Sequence, residues 1–361
     1  MNTTSLYVHL PFCPRKCLFC SFVIAVGQEH RRDEYVEALI HEMKKHEGTC
    51  LKTIYFGGGT PSMLDEKHFE VLMRAIRKNF SFQNEIEITI EANPESINHA
   101  KARFLKVQGF NRVSLGVQSM DDRYLKFLGR THDASMARGA YQILREAGFV
   151  NINLDLMYAF PGQTKEELQA DVQTIARMGP EHLSLYTLTI EPNSRFYAVQ
   201  MKLDDDEKLA RHYLLIARIL NEYGFKQYEV SNFSKSGFES RHNRNYWLGL
   251  PYLGVGVGAH GFDGRRRYWN TSNFQDYMQR ALRAEPVIEG FEDLSDTQRI
   301  MEKVLFGLRM NEGVPWDLVP SAKQEQIQTW VRDGFLLHEN GNLKTTDRGR
   351  LVLDELSARL I

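Results

Sequence analysis

Cysteine is scarce in this chain: four residues in 361, three of them inside the eight-residue stretch 13–20. So few thiols do not build a disulfide framework, and their clustering points to a reducing compartment and to metal chemistry. Charge of one sign is lacking as well. The formal net charge of −1 gives no field for drawing in nucleic acid or an anionic membrane. No run approaches the roughly 18 apolar residues needed to span a bilayer, so an integral membrane protein is not expected. The N-terminal segment MNTTSLYVHLP has no basic stretch followed by a long apolar core, which excludes a secretory-signal pattern and leaves a cytoplasmic expectation. Nucleotide-binding glycine signatures are missing too. GGGTP at 57–61 is not followed by Gly-Lys-Ser/Thr, and GVGVGAH at 254–260 departs from G-x-G-x-x-G spacing, so the latter reads as close backbone packing.

What is present begins with YVHLPFCPRKCLFCSF at 7–22. Cys13, Cys17 and Cys20 stand at C-x3-C-x2-C spacing directly after an alternating, strand-like run. Thiolates gather in this way when they share a metal, and both a closed zinc site and a protein-ligated [4Fe–4S] cluster take four ligands. Three cysteines leave one position open. A cubane cluster would then offer an iron to an exogenous ligand; a zinc knuckle would be completed by Cys50 or by a histidine such as His9.

Six strand patterns alternate with helical patterns over roughly the first 190 residues, at βαβ spacing. The resulting class is α/β, either a doubly wound sheet or a barrel, complete or incomplete. Parallel strands present their C-terminal ends on one functional face. The cysteines, Gly58, Gly59, Thr60, Glu91, Gln118 and Asp155 all fall at or just past such ends. In the segment DEYVEALIHEMKKHEG, Val36, Leu39, Ile40 and Met43 stand at helical spacing with Asp33 available as N-cap. Residues 226–262, rich in aromatics and glycine, fit strands joined by irregular loops. From about residue 290 the order helix, helix, hairpin (turn at Asn340–Gly341), helix suggests a small winged-helix-like α+β domain. Its charges form no basic stripe, so nucleic acid is not the expected partner. HNRNYW at 242–247 places an imidazole beside large aromatic rings, which suits either a haem iron ligand or a hydrogen-bonded structural histidine.

The cysteine motif with Phe19 before its last cysteine resembles the radical SAM superfamily. With GGGTP, GVQS, LGRTH, NINLDLMYAFPGQT, YEVSNF and HNRNYW following in order, nearly the whole chain resembles the HemN/HemW branch. That resemblance implies an incomplete (β/α)6 barrel over 1–230, linking strands and loops over 231–290, and a C-terminal family domain over 291–361. It also implies that Cys13, Cys17 and Cys20 hold a [4Fe–4S] cluster, and that Tyr7, Phe19, Gly58, Gly59, Thr60, Glu91, Gln118, Arg130 and Asp155 line a pocket for S-adenosylmethionine (SAM). Coproporphyrinogen-oxidising members carry a further cysteine two residues after the third, where this chain has Phe22, and a long extension before the motif, where six residues precede Tyr7. Both departures imply the haem-chaperone side of the branch: haem as cargo, a haem role for His242, and haem-accepting proteins such as membrane respiratory enzymes as partners. The alternative is oxygen-independent oxidative decarboxylation of coproporphyrinogen III. Whether SAM is cleaved is left open.

Overall fold

The computed structural model describes residues 3–360. Six parallel strands lie in sequential order: β1 (Thr3–Leu10), β2 (Cys50–Gly58), β3 (Ser81–Ala92), β4 (Arg112–Gln118), β5 (Ile152–Tyr158) and β6 (His182–Thr187). Helices α1 (Arg32–Lys44), α2 (Glu66–Asn79), α3 (His99–Val107), α4 (Asp122–Leu128), α5 (Ala134–Glu146) and α6 (Lys165–Arg177) fill the connections. Beyond β1 the sheet continues through Tyr252–Val255, His260–Phe262, Arg266–Asn270 and Ile288–Asp293; beyond β6 it ends in Asn232–Ser234 and Lys226–Gln227. The strand order is linear with two edges, so the barrel stays open.

Period-two alternation explains both faces of these strands. On β4, Val113, Leu115 and Val117 are buried under the helices, while Arg112, Ser114, Gly116 and Gln118 line an inner cavity. On β5 the apolar set is Ile152, Leu154 and Leu156, and the cavity set Asn153, Asp155 and Met157. A parallel strand buried in a core normally reads as a continuous apolar run. Here the apolar half meets the helices and the polar half encloses a place for a ligand.

Two sequence expectations are corrected. Helix α1 starts at Arg32, with Arg31 at the N-cap position and no side-chain cap; Asp33 lies inside the first turn and accepts from Lys67 Nζ at 3.0 Å and His68 Nε2 at 2.8 Å. HNRNYW belongs to a helix, Arg241–Trp247, started by Ser240, whose side chain accepts from the Asn243 N–H. The GVGVGAH reading holds: a Cβ on Gly254 would fall 1.8 Å from the His260 carbonyl oxygen.

The C-terminal part has its own apolar core, including Leu308, Ile327, Leu343 and Leu356. Its three-stranded antiparallel sheet runs Val314–Pro315, Asn342–Thr345, Leu336–Glu339. The expected last helix is two, Asp347–Arg350 and Leu353–Leu360; Ile361 lies outside the described residues.

Candidate functional site

The cysteine loop leaves β1 and is held from two sides. GGGTP lies against it: the Gly59 N–H donates to the Leu10 carbonyl and the Thr60 N–H to that of Phe12, both at 2.8 Å. A Cβ on Gly59 would sit 2.6 Å from the carbonyl oxygens of Pro11 and Phe12, and Gly58 adopts a left-handed φ of 119°. These glycines therefore admit the cysteine loop itself. On the far side Leu18 and Phe19 pack with Leu128, Met157, Phe160 and Phe196, and the Leu18 N–H donates to the Leu128 carbonyl at 3.1 Å. Gly59→Ala is expected to displace the loop, cutting iron bound after anaerobic reconstitution by about half or more while far-UV circular dichroism stays unchanged. Full iron loading in that variant would contradict this packing role.

All three loop cysteines are partly exposed and line one cavity of about 820 Å³, within the range of small-molecule sites. The Cys13 sulfur lies 3.4 Å from Thr60 Oγ1, and Arg130 Nη1 donates to Cys17 Sγ at 3.5 Å. Burial pushes the Cys20 thiol up. Among the described residues no three His, Cys, Asp or Glu side chains are grouped to hold a single metal ion. The two candidates for a fourth protein ligand are both committed elsewhere. Cys50 pairs with Thr3 at the start of β1, seven residues and about 23 Å of strand from Leu10. His9 uses both nitrogens, Nε2 donating to the Val23 carbonyl at 2.8 Å and Nδ1 accepting from Tyr7 at 3.1 Å, and burial holds it neutral with a pKa near 4. The donor set is three soft sulfurs facing a cavity beside a guanidinium. It fits a cluster that keeps one iron for an outside ligand.

Around the same cavity stand Tyr7, Phe19, Gly58, Gly59, Thr60, Glu91, Gln118, Arg130, Asp155 and His242. Glu91 accepts from the Tyr55 hydroxyl at 2.8 Å and from the Gly58 N–H at 3.2 Å; burial raises its pKa to about 7 against those bonds. Asp155 accepts from Asn153 at 2.7 Å and Ser114 at 3.2 Å, and burial raises it too. Arg130 Nη2 donates to Asn93 Oδ1 at 2.6 Å and to the Gly116 carbonyl at 3.1 Å, leaving Nε without a partner. Gln118 ends β4 with φ 68°, a left-handed geometry uncommon for residues other than glycine.

His242 also lines the cavity, and of the two readings of HNRNYW the hydrogen-bonded one describes its surroundings. It is 1% exposed. Nδ1 meets Thr53 Oγ1 at 2.7 Å and Nε2 meets the Tyr246 hydroxyl at 2.8 Å. Thr53 donates onward to Ser5, so the network assigns the proton to Nδ1 and caps the Nε2 lone pair with the tyrosine. The ring stacks on Tyr55 at 5.0 Å. Burial lowers its pKa to about 3, and neither nitrogen is free for iron in this arrangement. Sequence reasoning also passed over Tyr55, Asn93, Arg112, Asn153 and His182, all lining the cavity.

Residues 7–175 match the model of the Radical SAM superfamily, and residues 294–352 that of the HemN C-terminal domain. The protein named heme chaperone HemW from Lactococcus lactis subsp. lactis (strain IL1403) is 35% identical over 357 residues, covering 96% of this chain and 94% of that protein. The chain belongs to the HemN/HemW family of radical SAM proteins. Within that family the HemW of Escherichia coli (strain K12) is 34% identical over 98% of this chain and 96% of its own. The solved structure of the family's coproporphyrinogen III oxidase, HemN from Escherichia coli, superposes with a TM-score of 0.87 at 25% identity, covering 99% of this chain and 89% of that one. Radical SAM membership implies a [4Fe–4S] cluster and SAM.

Proposed function

We propose that this chain binds haem and passes it to acceptor proteins, such as membrane respiratory enzymes, from a scaffold that holds a [4Fe–4S] cluster and SAM. The observation that carries the reading is the end-to-end similarity to proteins named heme chaperone HemW. Cys13, Cys17 and Cys20 hold the cluster, which when bound supplies an open iron for SAM and the electron that can cleave its C–S bond. Glu91, fixed by Tyr55 and Gly58, receives the SAM amino group. Arg130 supplies a charge-assisted donor for its carboxylate, and Asp155 accepts from ribose hydroxyls. Gln118, Thr60 and the backbone at Gly58 and Gly59 supply further polar contacts, while Tyr7 and Phe19 shield the pocket from water. Phe22, 63% exposed, presents an apolar ring at the cavity wall where a macrocycle can lie. We place the protein in the cytoplasm; among the described residues no helix is long and apolar enough to cross a membrane.

The second reading, coproporphyrinogen III decarboxylation, is favoured by the likeness to the oxidase structure. One paired experiment separates the two. Haem titration of the reconstituted protein is expected to give a saturable Soret shift, with no turnover of coproporphyrinogen III when SAM and reductant are added. His242→Ala is expected to lower the unfolding temperature, because Thr53 and Tyr246 lose a buried partner, and to leave the Soret position unchanged. Turnover without haem binding would overturn the chaperone reading.

A further inference from the structure

Arg112 opens β4 at the end of the cavity away from the cysteines. It lies six residues, about 20 Å along the strand, before Gln118. Its side chain lines the cavity and the residue is 2% exposed. Nε has no hydrogen-bond partner, and among the described residues no carboxylate lies within ion-pairing distance of the guanidinium. Two acids of the cavity, Glu91 and Asp155, feel the Arg112 charge, but neither pairs with it directly: Glu91 is held by Tyr55 and Gly58, Asp155 by Asn153 and Ser114. His182 is no counter-ion either. Its Nδ1 meets Asn153 Oδ1 at 2.6 Å and its Nε2 the Tyr228 hydroxyl at 2.8 Å, and burial with the Arg112 charge keeps it neutral. On the helix Arg241–Trp247, Asn243 lines the same cavity; its buried amide nitrogen faces Tyr228 without a hydrogen bond of good geometry.

Taking a cation out of water without a direct ion-pair partner costs several kcal/mol. Hydrophobic residues of similar volume would have served packing alone. A guanidinium offers a fork of donors matched to a planar carboxylate, and Asn243 adds one more. We infer that Arg112, assisted by Asn243, is the anchor for a carboxylate of the cavity's cargo. SAM places its own carboxylate near the cluster, at the opposite end of the strands. The inference rests on the haem reading, and haem supplies the required chemistry in two propionates on one edge of the macrocycle. The ring would then stand lengthwise in the barrel, its propionate edge toward Arg112 and its iron nearer the middle.

Titration of wild type, Arg112→Met and Arg112→Lys with haem and with haem dimethyl ester, whose propionates are masked, tests this. Arg112→Met is expected to weaken haem binding about tenfold to a hundredfold and to change ester binding by less than about threefold. Arg112→Lys should recover part of the loss, and SAM binding should persist in both variants. If Arg112→Met binds haem as tightly as wild type, or loses both porphyrins equally, the carboxylate anchor is wrong while the haem reading stands. Should Arg112→Met fail to fold, the wild-type comparison decides, because equal affinity for haem and its ester also overturns the anchor. Wild type that binds neither porphyrin removes the haem reading and this inference together.

Discussion

Cys17→Ala is expected to abolish the iron–sulfur centre: iron after anaerobic reconstitution falls from about four per chain to well under one. Cys13, Cys17 and Cys20 face one cavity, and no other ligand can take the place of a missing one. Cys50 sits at the far end of the sheet, opposite Thr3, and both nitrogens of His9 are spent on Tyr7 and Val23. Cys50→Ala should therefore load iron like wild type. The fold should tolerate Cys17→Ala, because the cysteine is partly exposed and the loop is held by backbone bonds from Gly59, Thr60 and Leu18. Iron analysis and the visible absorbance of the cluster read both variants. Retention of a full cluster by Cys17→Ala, or its loss in Cys50→Ala, would show that the ligand set is misassigned.

The second large effect concerns stability, and it arises far from the cluster. Glu42 on α1 is 3% exposed and gathers three donors from the added edge of the sheet and the helix beside it. These are the Gly256 N–H at 2.9 Å, Asn270 Nδ2 at 2.7 Å and the Tyr277 hydroxyl at 2.5 Å. The Tyr35 hydroxyl completes the knot by accepting from the Val257 N–H at 3.0 Å while donating to the His9 carbonyl at 2.9 Å. Glu42→Ala would strand three buried donors, a cost of about 3–5 kcal/mol, visible as a lower denaturant midpoint.

Glu42 also carries a pH signature. Burial, opposed by those bonds and by the charge of Lys45, raises its carboxyl to about 7. A carboxyl whose folded pKa exceeds its unfolded one stabilises the fold most below the unfolded value, and that contribution is lost as pH climbs through the folded value. The stability of wild type relative to Glu42→Gln should therefore fall between pH 4.5 and pH 8, by on the order of 3 kcal/mol. A difference that is flat across this range, or that grows, would contradict the burial account.

The strand–helix alternation was legible because each unit buries an apolar face with a clear period, and the cysteine loop because three thiols in eight residues have few other uses. Arg112 was harder. In RVSLGVQ the polar members alternate, yet a lone arginine at the start of a strand resembles a solvated end until the sheet curls and turns it inward. His242 was hard to read for a different reason. An imidazole among aromatic rings suits a haem pocket, but sequence cannot reveal that Thr53 and Tyr246 take both nitrogens. The helix around it has seven residues, too short for a periodic signal, and its polar and aromatic content resembles a loop. Asp33 failed as a cap because Lys67 and His68 from α2 compete for its carboxylate. In each of these cases the deciding partner was distant in the chain.

The central claim is a three-cysteine iron cluster whose remaining iron accepts SAM inside the barrel cavity. Electron paramagnetic resonance of the reduced, anaerobically reconstituted protein, recorded before and after SAM is added, tests it most directly. A reduced-cluster signal that shifts on addition of SAM is the expected result. A signal that SAM leaves unchanged, or protein that takes up a single zinc instead of iron, would contradict it.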